Sequence, residues 1–167
     1  MPAALVAAMG DEGDRVAPRF DRGCRAFVVL EREAVVAYGW LSKGPEWVGE
    51  LSVEIRPAPN EAYVWNCCTL AEHRRHGHYR SLLDGIVAAS RRDGIARLWI
   101  GSVEHPAEKA DADAGFTAVA ECRVTTVLGL RWLRVQAAAG AAPELMEAAR
   151  ARMAPAHALD FARKRIH

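Results

Sequence analysis

The hydrophobic positions change their spacing in a definite order along the chain. Arg25–Glu31 (RAFVVLE) and Ala34–Ser42 (AVVAYGWLS) are apolar runs of strand length, rich in β-branched and aromatic residues. Arg32-Glu33 between them suits a tight turn, so the pair predicts a hairpin. Trp47–Ile55 alternates, with Trp47, Gly49, Leu51, Val53 and Ile55 on one side and Glu50, Ser52 and Glu54 on the other. That predicts a third strand. Pro57–Asn60 is a turn, and Ala62–Leu70 (AYVWNCCTL) predicts a fourth strand. The period then switches. Tyr79, Leu82, Leu83, Ile86 and Val87 share one face of a helix predicted over Gly77–Arg92, closed by Asp93-Gly94. Ala96–Val103 predicts a fifth strand and Pro106–Ala114 a short helix ended by Gly115-Phe116. Thr117–Glu121 and Val124–Val135 predict a final hairpin, and Ala141–Ile166 two short helices interrupted by Pro155. The residues before Cys24 read as a weak helix or irregular lead-in that stops at Asp21-Arg22-Gly23.

This order predicts a mixed α/β fold. The strand–helix–strand unit in its middle favours a locally parallel pair with a right-handed crossover. A chain of 167 residues is long enough for one core and too short for two ordinary ones. Lys+Arg is 22 and Asp+Glu is 21, so the net charge of +1 argues against a dedicated nucleic-acid binder. Cys24, Cys67, Cys68 and Cys122 form no C-x-x-C pair, which fits reduced thiols in a cytoplasmic protein better than a disulfide framework. The apolar stretch Ala3–Met9 is too short to span a membrane and lacks a basic flank, so no membrane role is expected.

The chemistry concentrates in Thr69–Leu83, TLAEHRRHGHYRSLL. A strand ends, a basic turn with one glycine follows, and a helix begins. Backbone N–H groups at a helix start are unpaired and carry the positive end of the dipole, so they make an anion site. Gly77 lets the backbone approach a ligand closely, and Arg74, Arg75 and Arg80 add positive charge.

Arg74-Arg75-His76-Gly77-His78-Tyr79 resembles the [Q/R]-x-x-G-x-[G/A] signature of the GCN5-related N-acetyltransferase (GNAT) superfamily, with Tyr79 departing at the last position. Gly115-Phe116 resembles the family's K-x-G-F ending of its fourth helix, with Asp113 in place of the lysine. The resemblance covers about Arg25 to Val135. It implies a central, mostly antiparallel mixed sheet whose fourth and fifth strands splay apart, with flanking helices. It also implies acetyl-CoA as cosubstrate and an amine acceptor, a small molecule or a peptide. By position, backbone groups of Cys67, Cys68 and Thr69 would pair with the pantetheine arm. The N–H groups of Arg75, His76, Gly77, Tyr79 and Arg80, with Arg74 and His78 beside them, would hold the pyrophosphate. A glutamate on or near the fourth strand often serves as base, which makes Glu61 and Glu54 the candidates. The family's helix-four tyrosine, which protonates the leaving thiolate, corresponds to Asp111. A carboxylic acid with an ordinary pKa of about 3.9 is a poor proton donor at neutral pH. A raised pKa, water, Tyr79 or His105 would then supply that proton, or the step goes unassisted. The alternative reading is a GNAT-fold CoA-binding or interaction module without catalysis.

Other features have plainer accounts. His73, His76 and His78 form H-x-x-H-x-H, a metal-site pattern with Glu72 as the carboxylate at hand. A solvated basic turn explains them without a metal, and none is expected. Cys67-Cys68 offers a nucleophile, but adjacent strand residues face opposite sides, and packing suits them better. The five tryptophans, in strands, read as core, with Trp65 available to an acceptor pocket. Arg163-Lys164-Arg165 suits a helix C-terminus. By the resemblance, 1–135 forms the acyltransferase domain with 1–24 as a shortened lead-in, and 136–167 forms a helical extension. An exposed edge and apolar face on the shortened flank would favour association, so a homodimer is expected.

Overall fold

A computed structural model describes residues 2–102, 105–128 and 130–155. The chain divides into two compact units, Met1–Gly44 with Pro57–Phe116, and Pro45–Arg56 with Thr117–His167.

The first unit holds a four-stranded sheet in the order β1-β2-β5-β6. Strands β1 (Arg25–Glu31) and β2 (Ala34–Ser42) pair antiparallel, and Arg32 and Glu33 turn between them with φ of +47° and +74°. Two successive positive φ values match the twist of the flanking strands. β2 also pairs antiparallel with β5 (Glu61–Thr69). β5 runs parallel to β6 (Arg97–Ile100) through the crossover helix α3 (His78–Arg92). The sheet is therefore mixed and mostly antiparallel, as expected.

β2 is buried along almost its whole length because it has a layer on each face. Leu5, Met9 and Val16, from α1 (Pro2–Met9) and α2 (Val16–Asp21), cluster with Val35, Tyr38 and Trp40. Leu82, Leu83 and Ile86 of α3 cluster with Ala37, Leu41, Ala62 and Val64. The lead-in expected before Cys24 is thus α1, a 3-10 turn over Gly10–Arg15 and α2, which together supply one layer. Helix α4 (His105–Asp113) completes the unit.

The second unit contains β3 (Glu46–Val48), β4 (Val53–Ile55), the hairpin β7 (Ala120–Val127) and β8 (Leu130–Ala137), α5 (Pro143–Arg152) and β9 (Met153–Pro155). Three expectations need correction here. The single third strand is a hairpin, β3 with β4, in which the Ser52 N–H donates to the Gly49 carbonyl and Ser52 has φ of +55°. Alternation in sequence runs on through such a turn, because both arms place alternate residues on the same face. The final hairpin turns at Leu128, φ +49°, not at Cys122-Arg123, which lie inside β7 opposite Val135 and Arg134. After Arg152 the chain is extended, and β9 pairs antiparallel with β4 where a helix was expected. Pro155 disfavours helical backbone in the residue before it. The fifth strand is also shorter than Ala96–Val103, ending at Ile100. Val103, the rest of the expected second tail helix and the Arg163–Arg165 run lie outside the described residues. The boundary expected after Val135 falls within β8.

Candidate active site: a splayed strand pair and an anion loop

β5 and β6 are paired only from Glu61↔Arg97 to Val64↔Ile100. Beyond that point β5 continues to Thr69 without β6, so the two strands part as expected of the fourth and fifth strands. A bulge accompanies the parting. Trp40 opposes Trp65 and Tyr38 opposes Cys68, leaving Gly39 to face both Asn66 and Cys67. Asn66 adopts φ of +48°. A bulge bends its strand and redirects side chains. It also explains Gly39, where a Cβ would stand 2.7 Å from the Cys67 Sγ. The Thr69 hydroxyl is buried here without a hydrogen-bond partner.

The loop after β5 ends in α3. Arg75 and Gly77 have φ of +67° and +81°, and Gly77 is the residue before the first helical turn. Among the described residues, the backbone N–H groups of 75–80 donate to no backbone acceptor, and Ser81 is the first to close a bond, to the Gly77 carbonyl at 3.0 Å. A turn of alternating handedness followed by a helix start gathers N–H groups into an anion-binding concavity. A side chain at Gly77 would meet nothing within 4 Å, so the left-handed backbone is what calls for glycine there. Of the expected cations, Arg80 is engaged by both oxygens of Asp84 at 2.9 and 3.0 Å. The Arg74 Nε donates to the Thr69 carbonyl at 3.3 Å.

Tyr79 lies on the second residue of α3, and its hydroxyl donates to Asp111 Oδ1 at 3.0 Å. The Ser102 hydroxyl donates to Asp111 Oδ2. Asp111 itself is buried. Its place is fixed by the end of α4, where the Phe116 N–H returns to the Asp111 carbonyl and the Gly115 N–H to Ala112, a paired C-terminal cap. Burial, with the Cys67 thiol and Asp111 alongside, pushes the Tyr79 phenol well above its ordinary pKa. Burial and Asp111 push the Cys67 thiol up to about 12, so it is no thiolate at neutral pH.

Glu61 is buried at the paired end of β5. Its carboxylate accepts from Arg97 Nη1 at 2.9 Å, Trp99 Nε1 at 2.8 Å and the Ala58 N–H at 3.2 Å. Glu54 belongs to the second unit, where Arg56 holds its Oε2 at 2.5 Å. The side chain of His105 is not among those described.

Sequence reasoning missed one constellation altogether. The Arg19 guanidinium is buried, 5.0 Å from the Trp40 ring centroid and 4.4 Å from that of Trp65. It donates to Asn66 Oδ1 at 2.9 Å, and Glu12 receives both Arg19 and the Asn66 amide. Desolvation lowers its pKa while Glu12 opposes that shift. This network braces the bulge from the α1–α2 layer. Its only trace in the sequence is a polar residue within strand four.

A family model described as the acetyltransferase (GNAT) family matches residues 6–114. The chain belongs to this family. Solved GNAT-fold structures agree with its architecture. An N-acetyltransferase from Staphylococcus aureus Mu50 is 16% identical, with a TM-score of 0.57 over 80% of this chain and 87% of that one. A ribosomal-protein-alanine N-acetyltransferase from Brucella melitensis is 17% identical, with a TM-score of 0.57 over 80% and 90%. An aminoglycoside N-acetyltransferase in complex with CoA is 10% identical, with a TM-score of 0.53 over 69% and 84%. A search of curated proteins finds no match. No helix among the described residues is long and apolar enough to cross a membrane.

Proposed function

We propose that this GNAT protein transfers an acetyl group from acetyl-CoA to an amine by direct attack in a ternary complex. The carrying observation is the row of backbone N–H groups from 75 to 80 without backbone acceptors, set at the end of a strand that has lost its neighbour. Those N–H groups, with Arg74 and Arg75, suit a pyrophosphate. The free side of Cys67, Cys68 and Thr69 suits the amides of the pantetheine arm, which would add to β5 as a strand adds to a sheet edge. His76 and His78 flank the phosphates without being needed to hold them.

In the reaction the neutral amine attacks the thioester carbon, the C–N bond forms and the C–S bond breaks. The departing sulfur takes a proton from the Tyr79 hydroxyl, which Asp111 holds in place until it turns to the sulfur. Tyr79 thus fills the acid role that the family's pattern gives to a helix-four tyrosine, and Asp111 becomes its positioning residue. The amine nitrogen gives up its proton to water as the amide forms, and Tyr79 regains one from water. Glu61 serves as a strut, since Arg97, Trp99 and the Ala58 N–H tie its carboxylate to the surroundings of the start of β5. Cytoplasmic location fits the free cysteines. A homodimer fits the exposed Val127, Leu128 and Trp132 at one hairpin.

The test is incubation with acetyl-CoA and a panel of amines, following free thiol. Release of CoA dependent on both protein and amine supports the reading. Tight acetyl-CoA binding with no turnover on any amine would favour a CoA-binding module instead, and absence of binding would overturn both.

A further inference from the structure

Outside the acyl-transfer cluster, one group of side chains is arranged for a ligand. Glu31, the last residue of β1, faces two histidines that bracket the anion loop: His73 before it and His78 at the first residue of α3. Glu31 Oε2 is 3.3 Å from His73 Nδ1, and Oε1 is 3.4 Å from His78 Nε2. One ligand atom from each of the three residues lies within 4.8 Å of the others. Around a tetrahedral zinc ion with ligands about 2.0–2.1 Å away, ligand atoms are about 3.3 Å apart. Each histidine nitrogen already stands at about that distance from one of the two Glu31 oxygens. His78 Nε2 is also buried and has no hydrogen-bond partner, although a carboxylate oxygen lies beside it. A cation between the His78 Nε2 lone pair and that oxygen would give both a partner.

We propose that Glu31, His73 and His78 bind a divalent transition-metal ion, with zinc as the best fit. Imidazole with one carboxylate suits this class of ion, and three protein ligands leave a fourth position for water. Glu31 is half exposed and can rotate to bring its oxygens onto the ion. The sequence pattern offered Glu72 as the carboxylate; the fold brings Glu31 from forty-odd residues upstream instead. The metal would tie both ends of the anion loop to the end of β1. That is a structural and regulatory role, with no part in bond making. The site itself does not depend on the acetyl-transfer reading; its effect on CoA does.

The test uses tag-free protein stripped with a chelator and titrated with zinc chloride by calorimetry, then with cobalt(II) followed by visible absorption. One zinc per chain and a tetrahedral cobalt spectrum are expected. Loss of an outer-shell partner of a metal ligand typically costs about 10–100-fold in affinity. Glu31→Gln and His73→Ala remove direct ligands and should cost at least that much, while Glu72→Gln should leave affinity unchanged. Glu31→Gln keeps the test valid even if a histidine variant fails to fold. No saturable binding, or full affinity in Glu31→Gln, would overturn the site. With zinc bound, CoA should bind several-fold more tightly by reciprocal coupling. Zinc binding with unchanged CoA affinity would overturn the loop-locking role alone, and zinc binding with no CoA binding at all would tell against the acetyl-transfer reading.

Discussion

The two halves of β5 have the same backbone and opposite fates. From Glu61 to Val64 the strand is buried and paired with β6, and its one carboxylate accepts three hydrogen bonds. From Trp65 to Thr69 it bulges and loses β6. It also leaves a buried hydroxyl without a partner and runs into a loop of N–H groups with no backbone acceptors. Buried polar groups are normally satisfied within the protein. A strand that satisfies them in one half and not in the other marks where a ligand belongs. The first half is scaffold, and the second is a binding surface held open by Arg19, Asn66 and Glu12.

That contrast can be broken most severely at the loop. Gly77→Glu forces a left-handed backbone onto a side chain and sets a negative charge among the N–H groups. Calorimetry should show acetyl-CoA binding lost; retained affinity would remove the pyrophosphate from this loop. Tyr79→Phe comes next. A general acid contributes about 10²–10⁴-fold, and a thiolate leaves with little help, so kcat should fall by about 10²-fold with KM for acetyl-CoA nearly unchanged. Asp111→Asn should act in the same direction and more weakly, and an unaltered kcat in Tyr79→Phe would return the acid role to water.

Glu61→Gln probes the closed half. Weakening a buried set of charge-assisted hydrogen bonds costs about 1–3 kcal/mol, seen as a lower Tm, with kcat preserved. The opposite pattern, a lost pH-dependent kcat at unchanged Tm, would make Glu61 the base. The smallest effect concerns Cys67. Its thiol stays protonated in the fold up to about 12, whereas an unfolded thiol ionises near its usual value of about 8.5. Its contribution to stability is therefore complete below that lower value and is lost as pH rises through the window. Alkylation of Cys67 at neutral pH should be slow in the native protein, and rapid labelling would refute its raised pKa.

Much of the anion loop was legible in the sequence, because a strand ending, a basic turn, one glycine and a 3.6-residue period are all local signals. The β1–β2 hairpin and the parallel strand–helix–strand unit followed from the same kind of pattern, while the order of the sheet was implied by the family resemblance. What stayed hidden depends on distance in the fold. Tyr79 reads as a departure from the family's loop pattern and Asp111 as a departure from its helix-four pattern. Only in three dimensions do the two meet in one hydrogen bond. Arg19 lies in residues with no strong period, and its value comes from stacking on tryptophans twenty and more positions away. Glu61 reads only as a glutamate at the start of a strand, and no sequence signal announces that Arg97 and Trp99 occupy it.

Amide hydrogen exchange with and without CoA tests the contrast between the halves of β5 most directly. CoA should add protection at residues 67–69 and 75–80 and none at 61–64. Unchanged exchange in those two segments, or protection gained mainly elsewhere, would contradict it.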